Sequence, residues 1–306
     1  MALKQVIEAH DLLSNPNVNG DQVASLLHEC GVTDVMVETV TGERGKTDFV
    51  SCRIPGQDPE GPTLGVIGRL GGVGARPELI GLVSDADGAI AAIAAAMKLG
   101  EMARVGDVMP GPVRIHTHIC PNASTKPNIP VPQMRGPLPM FEMMKREVHP
   151  DMKAILSLDT SRGNRLLNHN GIALTPTIKE GYMLRVPETL LDLLSWTTGE
   201  LPHVMPLTTM DTTPADNGLR RLNSIVQPAT VTTAPVVGVA FTAVAAVPGC
   251  ATGATNSRDL ESATRFVVEV AKVFGKNQCK FYDEDEWQAI QRRYGSLGHL
   301  QQLGNE

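Results

Sequence analysis

The chain has 306 residues, 42% of them hydrophobic, and a formal net charge of -6. That is enough apolar material for one large α/β domain or two smaller ones. The acidic balance, the scattered basic residues and an aromatic content of 4% give no positive base-stacking surface, so no nucleic-acid partner is expected.

Cys30, Cys52, Cys120, Cys250 and Cys279 are widely spaced and form no CxxC, which argues against a disulfide framework and for a reducing compartment. Residues 1–10 read as an amphipathic helix carrying charge, not as a signal peptide. Residues 222–257 carry no charged side chain, but Pro228, Pro235, Pro248 and many threonines favour buried strands and turns over a membrane span. A cytoplasmic protein with no membrane partner is expected.

In chain order, residues 1–30 read as a helical segment with a break at Asn19-Gly20-Asp21 and a second helix over 22–30. Strands are expected at 35–40 and 49–54 around the charged turn 41–46, followed by a Pro/Gly-rich surface turn over 55–62. Residues 63–68 form an apolar strand that runs into Arg69-Leu-Gly-Gly-Val-Gly74. Those glycines allow either a backbone nest for an anion or a tight turn, and match neither a P-loop nor a GxGxxG fingerprint. Asp85 and Asp87 then sit between an apolar stretch and an alanine-rich helix over 89–102. Ser84 and Asp85 suit helix N-caps as well as they suit metal ligands or a hydrogen-bond network, and the local residues leave both readings open.

Residues 114–119 alternate as a strand, which turns His116 and His118 to one side. A long Pro-rich loop follows over 121–139, then a helix over 140–148 with Met140, Met143 and Met144 at core spacing. A buried strand over 154–158 ends at Asp159. Two strands are expected around Glu180-Gly181 within 171–184, and a helix over 188–196. Central strands should come from the uncharged segment, with helices over 259–274 and from 283–286 to 294. Strand–helix alternation predicts a three-layer α/β/α sandwich with a mostly parallel or mixed central sheet, as a single α/β domain over 1–306.

Asp85, His118 and Asp159 share one context, an apolar strand that runs out into a ligand-type residue. In open α/β sheets such ends converge on one edge. A histidine between two carboxylates suits zinc or manganese, with His116 as a further ligand or as a hydrogen-bond donor to a second carboxylate. The competing reading is a partly buried strand edge whose histidine bonds to backbone. Asp87, Cys120, Asp211 and Asp216 are completing groups. In a hydrolytic site Asp87 or Asp211 would serve as base, and Arg69, Arg76 or Arg162 would hold a substrate carboxylate. His10, His28, His149, His203 and His299 show no ligand spacing, His169 and Glu180 are weaker site candidates, and Cys120 reads as a small buried thiol, with a nucleophile or ligand as the alternative.

The order of these segments resembles the zinc-dependent exopeptidase fold of the co-catalytic aminopeptidases and deacylases. Asp85-Ala-Asp87-Gly88 before the alanine helix resembles that family's bridging-aspartate motif. His118 in Ile115-His-Thr-His-Ile119-Cys120 stands where an acidic pair ends the next strand, and Asp159 where a ligand aspartate ends a later one. Residues 235–241 and the helix after them resemble its last strand and helix. Arg69, however, stands where that family has a histidine, the stretch after the 235–241 strand shows Gly249, Cys250, Thr252 and Asn256 where its late histidine would stand, and the general-base glutamate pair is missing between 115 and 121. The resemblance thus fills one ion's ligand set, not two.

Over nearly the whole chain, the peptides at 68–77, 117–123 and 248–253 resemble a conserved bacterial family of unknown function, DUF1177, which implies no established reaction. The exopeptidase resemblance implies a metal-dependent hydrolase acting on a small peptide, amide or amino-acid derivative. Its expected partners are a small-molecule or short-peptide ligand and further copies of the chain in a homo-oligomer. The departures keep open a degenerate relative that binds a small acidic ligand or serves a structural or regulatory role.

Overall fold

The computed structural model describes residues 1–69, 84–120, 123–126, 133–161, 165–244 and 255–304. Two helices open the chain, α1 (Leu3–Leu13) and α2 (Gly20–Glu29). The break between them falls where expected, because Asn19 and Gln22 cap α2 reciprocally: each side chain accepts from the other's backbone N–H. β1 (Asp34–Gly42) and β2 (Gly45–Ile54) form a hairpin that closes at Gly42 opposite Gly45, where a φ of 124° calls for glycine.

β3 (Thr63–Gly68), α3 (Asp87–Arg104) and β4 (Val113–Ile119) follow. The segment expected as one long loop over 121–139 contains a small antiparallel pair, β5 (Ser124–Lys126) and β6 (Gln133–Arg135). α4 (Met140–Glu147) leads into β7 (Met152–Thr160). Three short strands rather than two then appear: β8 (Gly171–Leu174), β9 (Thr177–Lys179) and β10 (Tyr182–Leu184). α5 (Glu188–Thr198) is followed by a long irregular stretch up to β11 (Val236–Thr242), the one strand among the described residues of the uncharged segment. α6 (Ser257–Phe274) and α7 (Glu284–Tyr294) complete the order.

The main sheet runs β1-β2-β4-β3-β7-β11-β9-β10, with β8 also paired to β11. β4, β3, β7 and β11 are mutually parallel. Antiparallel pairings flank them, β1–β2–β4 on one side and β8, β9 and β10 on the other. The parallel strands are buried over almost their whole length, so they read in sequence as apolar runs.

Alternation along the strands builds two faces. Leu64, Val66, Val113, Ile115, Leu156, Leu158, Val237 and Val239 join residues of α1, α2, α3, α5 and α6 in the large core. The alanine run of α3 is explained here: this helix lies on the sheet with α1 and α6 packed over it, and small side chains permit that close approach. The opposite face is thinner. Ile67, Ile155 and Ala240 pack under Met205, Ile225, Val226 and Ala229 of the irregular stretch, while Phe49 packs with Met143 and Met144 of α4. No described helix is long and apolar enough to cross a membrane.

Candidate active site at the carboxyl ends of the parallel strands

The period of two that sends Val113, Ile115 and Ile119 into the large core turns Arg114, His116 and His118 towards the face covered by α4. The same alternation gives Arg69, just past β3, the side shared by Ile67, and Asp159 the side shared by Ile155. α4 lies over them. Its buried residues Met143, Met144 and Glu147 recur at helical spacing, so the carboxylate of Glu147 faces inward. Asp216 orients this helix by accepting the Phe141 N–H at its first turn, at 3.2 Å.

His118 Nδ1 lies 2.5 Å from Glu147 Oε1, and the two side chains are 4% and 0% exposed. An ionised carboxylate only accepts, so in this contact Nδ1 is the nitrogen placed to donate. Glu147 Oε2 and both ring nitrogens of His116 are buried with no hydrogen-bond partner. Burial, reinforced by Arg114, pushes His116 down to about 4 and keeps its ring neutral. Its edge meets the ring of His149, with centroids 6.4 Å apart. His149 in turn pairs with Asp151 at 2.5 Å, and Asp151 accepts Arg114 Nε at 2.6 Å.

Arg69 is buried at the end of β3, with its backbone N–H donated to Leu158 O at 2.8 Å. Its guanidinium rests on the thioethers of Met144 (2.6 Å) and Met140 (2.9 Å), so these methionines do more than fill a core. Nε lies 4.0 Å from Asp159 Oδ2 and has no hydrogen-bond partner. Burial pushes the Asp159 carboxyl up to about 7 against the pull of Arg69, with Asp85 and Glu147 adding to the rise.

Asp85 occupies a 3-10 turn, Ser84–Ala86, that feeds α3. The N-cap position falls on Ala86, which has no side-chain cap hydrogen bond, and Asp87 is the acidic residue of the first turn. Asp87 is buried in the first turn and accepts Thr255 Oγ1 at 2.8 Å. Burial pushes it up to about 8, with Asp85, Asp259 and Asp159 contributing like charge. At neutral pH it is therefore mostly a carboxylic acid, a proton donor and not the base expected from sequence. Gly88 lets α3 start directly on the sheet: a Cβ there would lie 2.2 Å from Leu158 O and 2.9 Å from Arg69 N.

Asp211, the other expected base, has a different task. Its carboxylate accepts the Thr208 N–H and hydroxyl through Oδ2, and the Leu222 and Asn223 N–H groups through Oδ1. Four hydrogen bonds occupy both oxygens and pin the 208–223 loop, which Asn223 ties to Ser161 beyond β7 at 2.8 Å. Arg76, Arg162 and the glycines at 71–74, read as either a nest or a tight turn, lie outside the described residues. None of the described cysteines forms a disulfide, and burial pushes the thiols of Cys52 and Cys279 up to about 12.

Among the described residues no three His, Cys, Asp or Glu side chains converge to hold a metal ion. The expected ligands do not act as a set. Glu147 engages only one nitrogen of His118, which does not by itself bar a metal from the other, but Asp159 faces a guanidinium and His116 meets the His149 ring edge-to-face. These residues do not fit the zinc or manganese site that the fold resemblance implies. Sequence reasoning overlooked Glu147, although its spacing from Met143 and Met144 marks it as facing the core.

A family model described as "Protein of unknown function (DUF1177)" matches residues 38–304. No curated protein sequence matches the chain. Several solved structures share the fold at low identity. A glutaminyl cyclase from Macrostomum lignano aligns with a TM-score of 0.50 and 13% identity over 90% of this chain and 89% of that one. The bottromycin maturation enzyme BotP, in complex with Mn, aligns with a TM-score of 0.51 and 18% identity over 87% and 71%. A cytosol aminopeptidase from Coxiella burnetii aligns with a TM-score of 0.52 and 13% identity over 90% and 69%. The chain thus has an exopeptidase-like α/β fold, as its segment order suggested.

Proposed function

The chain belongs to the DUF1177 family of proteins of unknown function, and we propose that it hydrolyses a small peptide, amide or amino-acid derivative. The observation that carries this reading is the buried His118–Glu147 pair at the carboxyl end of β4. A carboxylate that holds Nδ1 fixes the imidazole tautomer and leaves Nε2 to take a proton from water as the water oxygen attacks the carbonyl carbon. Asp87 supplies a proton to the departing amine as the C–N bond breaks. One water is consumed and both groups are restored by exchanging a proton with solvent. The peptidase-like neighbours support this reading at the level of the scaffold.

A second reading, a small acidic ligand bound without turnover, is favoured by one observation. Arg69 Nε is buried with no hydrogen-bond partner, and an open guanidinium edge suits a carboxylate. Incubating the purified protein with dipeptides, amino-acid amides and N-acyl amino acids, followed by mass spectrometry and calorimetry, separates the two. Cleaved products support hydrolysis. Binding heat from an acidic compound without cleavage supports the second reading, and neither signal overturns both.

A further inference from the structure

We infer that Arg69 is the built-in cation of this site, balancing its carboxylates in place of a divalent metal ion. The guanidinium side chain is 1% exposed and stands 4.0 Å from Asp159 Oδ2. Asp159 also feels the charges of Asp85 and Glu147, and Asp87 those of Asp85 and Asp159, so four carboxyl groups share one buried region. Buried carboxylates without a counter-charge are costly. A guanidinium supplies that charge permanently, because it does not deprotonate in proteins.

The surroundings of Arg69 hold it there. Its backbone is bonded to Leu158 and overlaid by Gly88, too closely for a larger residue. Its terminal nitrogens lie against the Met140 and Met144 thioethers, weak acceptors that neutralise nothing and leave the charge for Asp159. A divalent ion bound by Asp159 would face this fixed positive charge at close range. The inference stands apart from the hydrolytic reading, since a protein that only binds a ligand needs the same balance.

Metal content and melting temperature test it. Wild-type protein purified without chelator is expected to hold far less than one zinc or manganese ion per chain. Its melting temperature should not respond to excess Zn2+, Mn2+ or EDTA. Arg69→Met keeps the bulk and removes the charge, so its melting temperature at neutral pH should fall well below that of the wild type and recover as the pH drops and the carboxylates take up protons. Arg69→Lys keeps the charge and should stay indifferent to both ions. One or two ions per wild-type chain, lost in Asp159→Asn, would overturn the inference, as would an Arg69→Met as stable as the wild type at neutral pH. Should Arg69→Met not fold, the wild-type metal content and the response of Arg69→Lys decide the matter.

Discussion

Nδ1 of His118 lies 2.5 Å from Oε1 of Glu147, joining the carboxyl end of β4 to the last turn of α4. Two residues 29 positions apart are thereby held as one unit in a nearly solvent-free space. The contact fixes the imidazole near the carboxyl end of β4, with the centroid of the Phe49 ring 5.9 Å away. It also depends on α4 being seated correctly, to which Asp216 contributes from the loop pinned by Asp211.

Glu147→Gln should release that orientation. Nitrogen-15 spectra of the wild type should show His118 protonated at Nδ1, and the variant should show a mixture of tautomers or the Nε2 form. Activity should fall by about 10²-fold or more, the usual worth of a positioned base. An unchanged tautomer in the variant would mean that another group orients the ring.

Asp87→Asn should change how stability depends on pH. The Asp87 carboxyl rises from 3.8 to about 8 on folding, so between those values the unfolded chain has lost a proton that the folded chain keeps. Wild-type stability therefore declines as pH rises through this window and levels beyond it. The variant has no such proton, and its stability relative to wild type should grow with pH by up to about 1.4 kcal/mol per unit. Urea denaturation across the window measures the slope, and parallel curves would contradict it.

His116→Leu tests the opposite edge of the range. Burial lowers His116 from 6.5 to about 4, so its contribution is intact above 6.5 and is lost as pH falls through the folded value. Neither ring nitrogen has a well-formed hydrogen bond, and the backbone of Glu147 gives only a minor contact, so an apolar replacement forfeits little. The variant should fold at neutral pH and lose less stability than wild type on acidification. A large loss at neutral pH would show that the ring has a partner.

Gly88→Ala would normally favour a helix by about 1 kcal/mol. Here the added Cβ would meet Leu158 O at 2.2 Å and Arg69 O at 2.8 Å, both backbone atoms that cannot step aside. A net destabilisation of about 1–3 kcal/mol is expected, read as a lower melting temperature. A stabilised variant would contradict the close seating of α3 on β3 and β7.

The central strands were legible because apolar runs covered on both faces leave little ambiguity, as at Thr63–Gly68 and Val236–Thr242. His118 and Asp159 were legible for the same reason, since each is a polar residue at the end of such a run. Glu147 was not, because a glutamate at the end of a short amphipathic helix usually faces water. Its position three and four residues after Met144 and Met143 was the signal that it faces inward. Ser84 and Asp85 looked like caps because local chemistry cannot distinguish a cap from a 3-10 turn, whereas the contact of Gly88 with β7 decides where α3 starts. Burial above all, with the like charges of Asp85, Asp259 and Asp159 adding to it, raises the Asp87 carboxyl, and neither the burial nor the nearness of Asp159 and Asp259 is visible along the chain.

Hydrolysis in oxygen-18 water, compared between wild type and His118→Asn, tests the proposed chemistry most directly. The wild type should release a carboxylate carrying one oxygen-18 atom from a cleaved amide or dipeptide. His118→Asn should keep its melting temperature while its rate falls by about 10²-fold or more. A His118→Asn enzyme that cleaves as fast as the wild type, or a product without the label, would contradict a water-activating role for the His118–Glu147 pair.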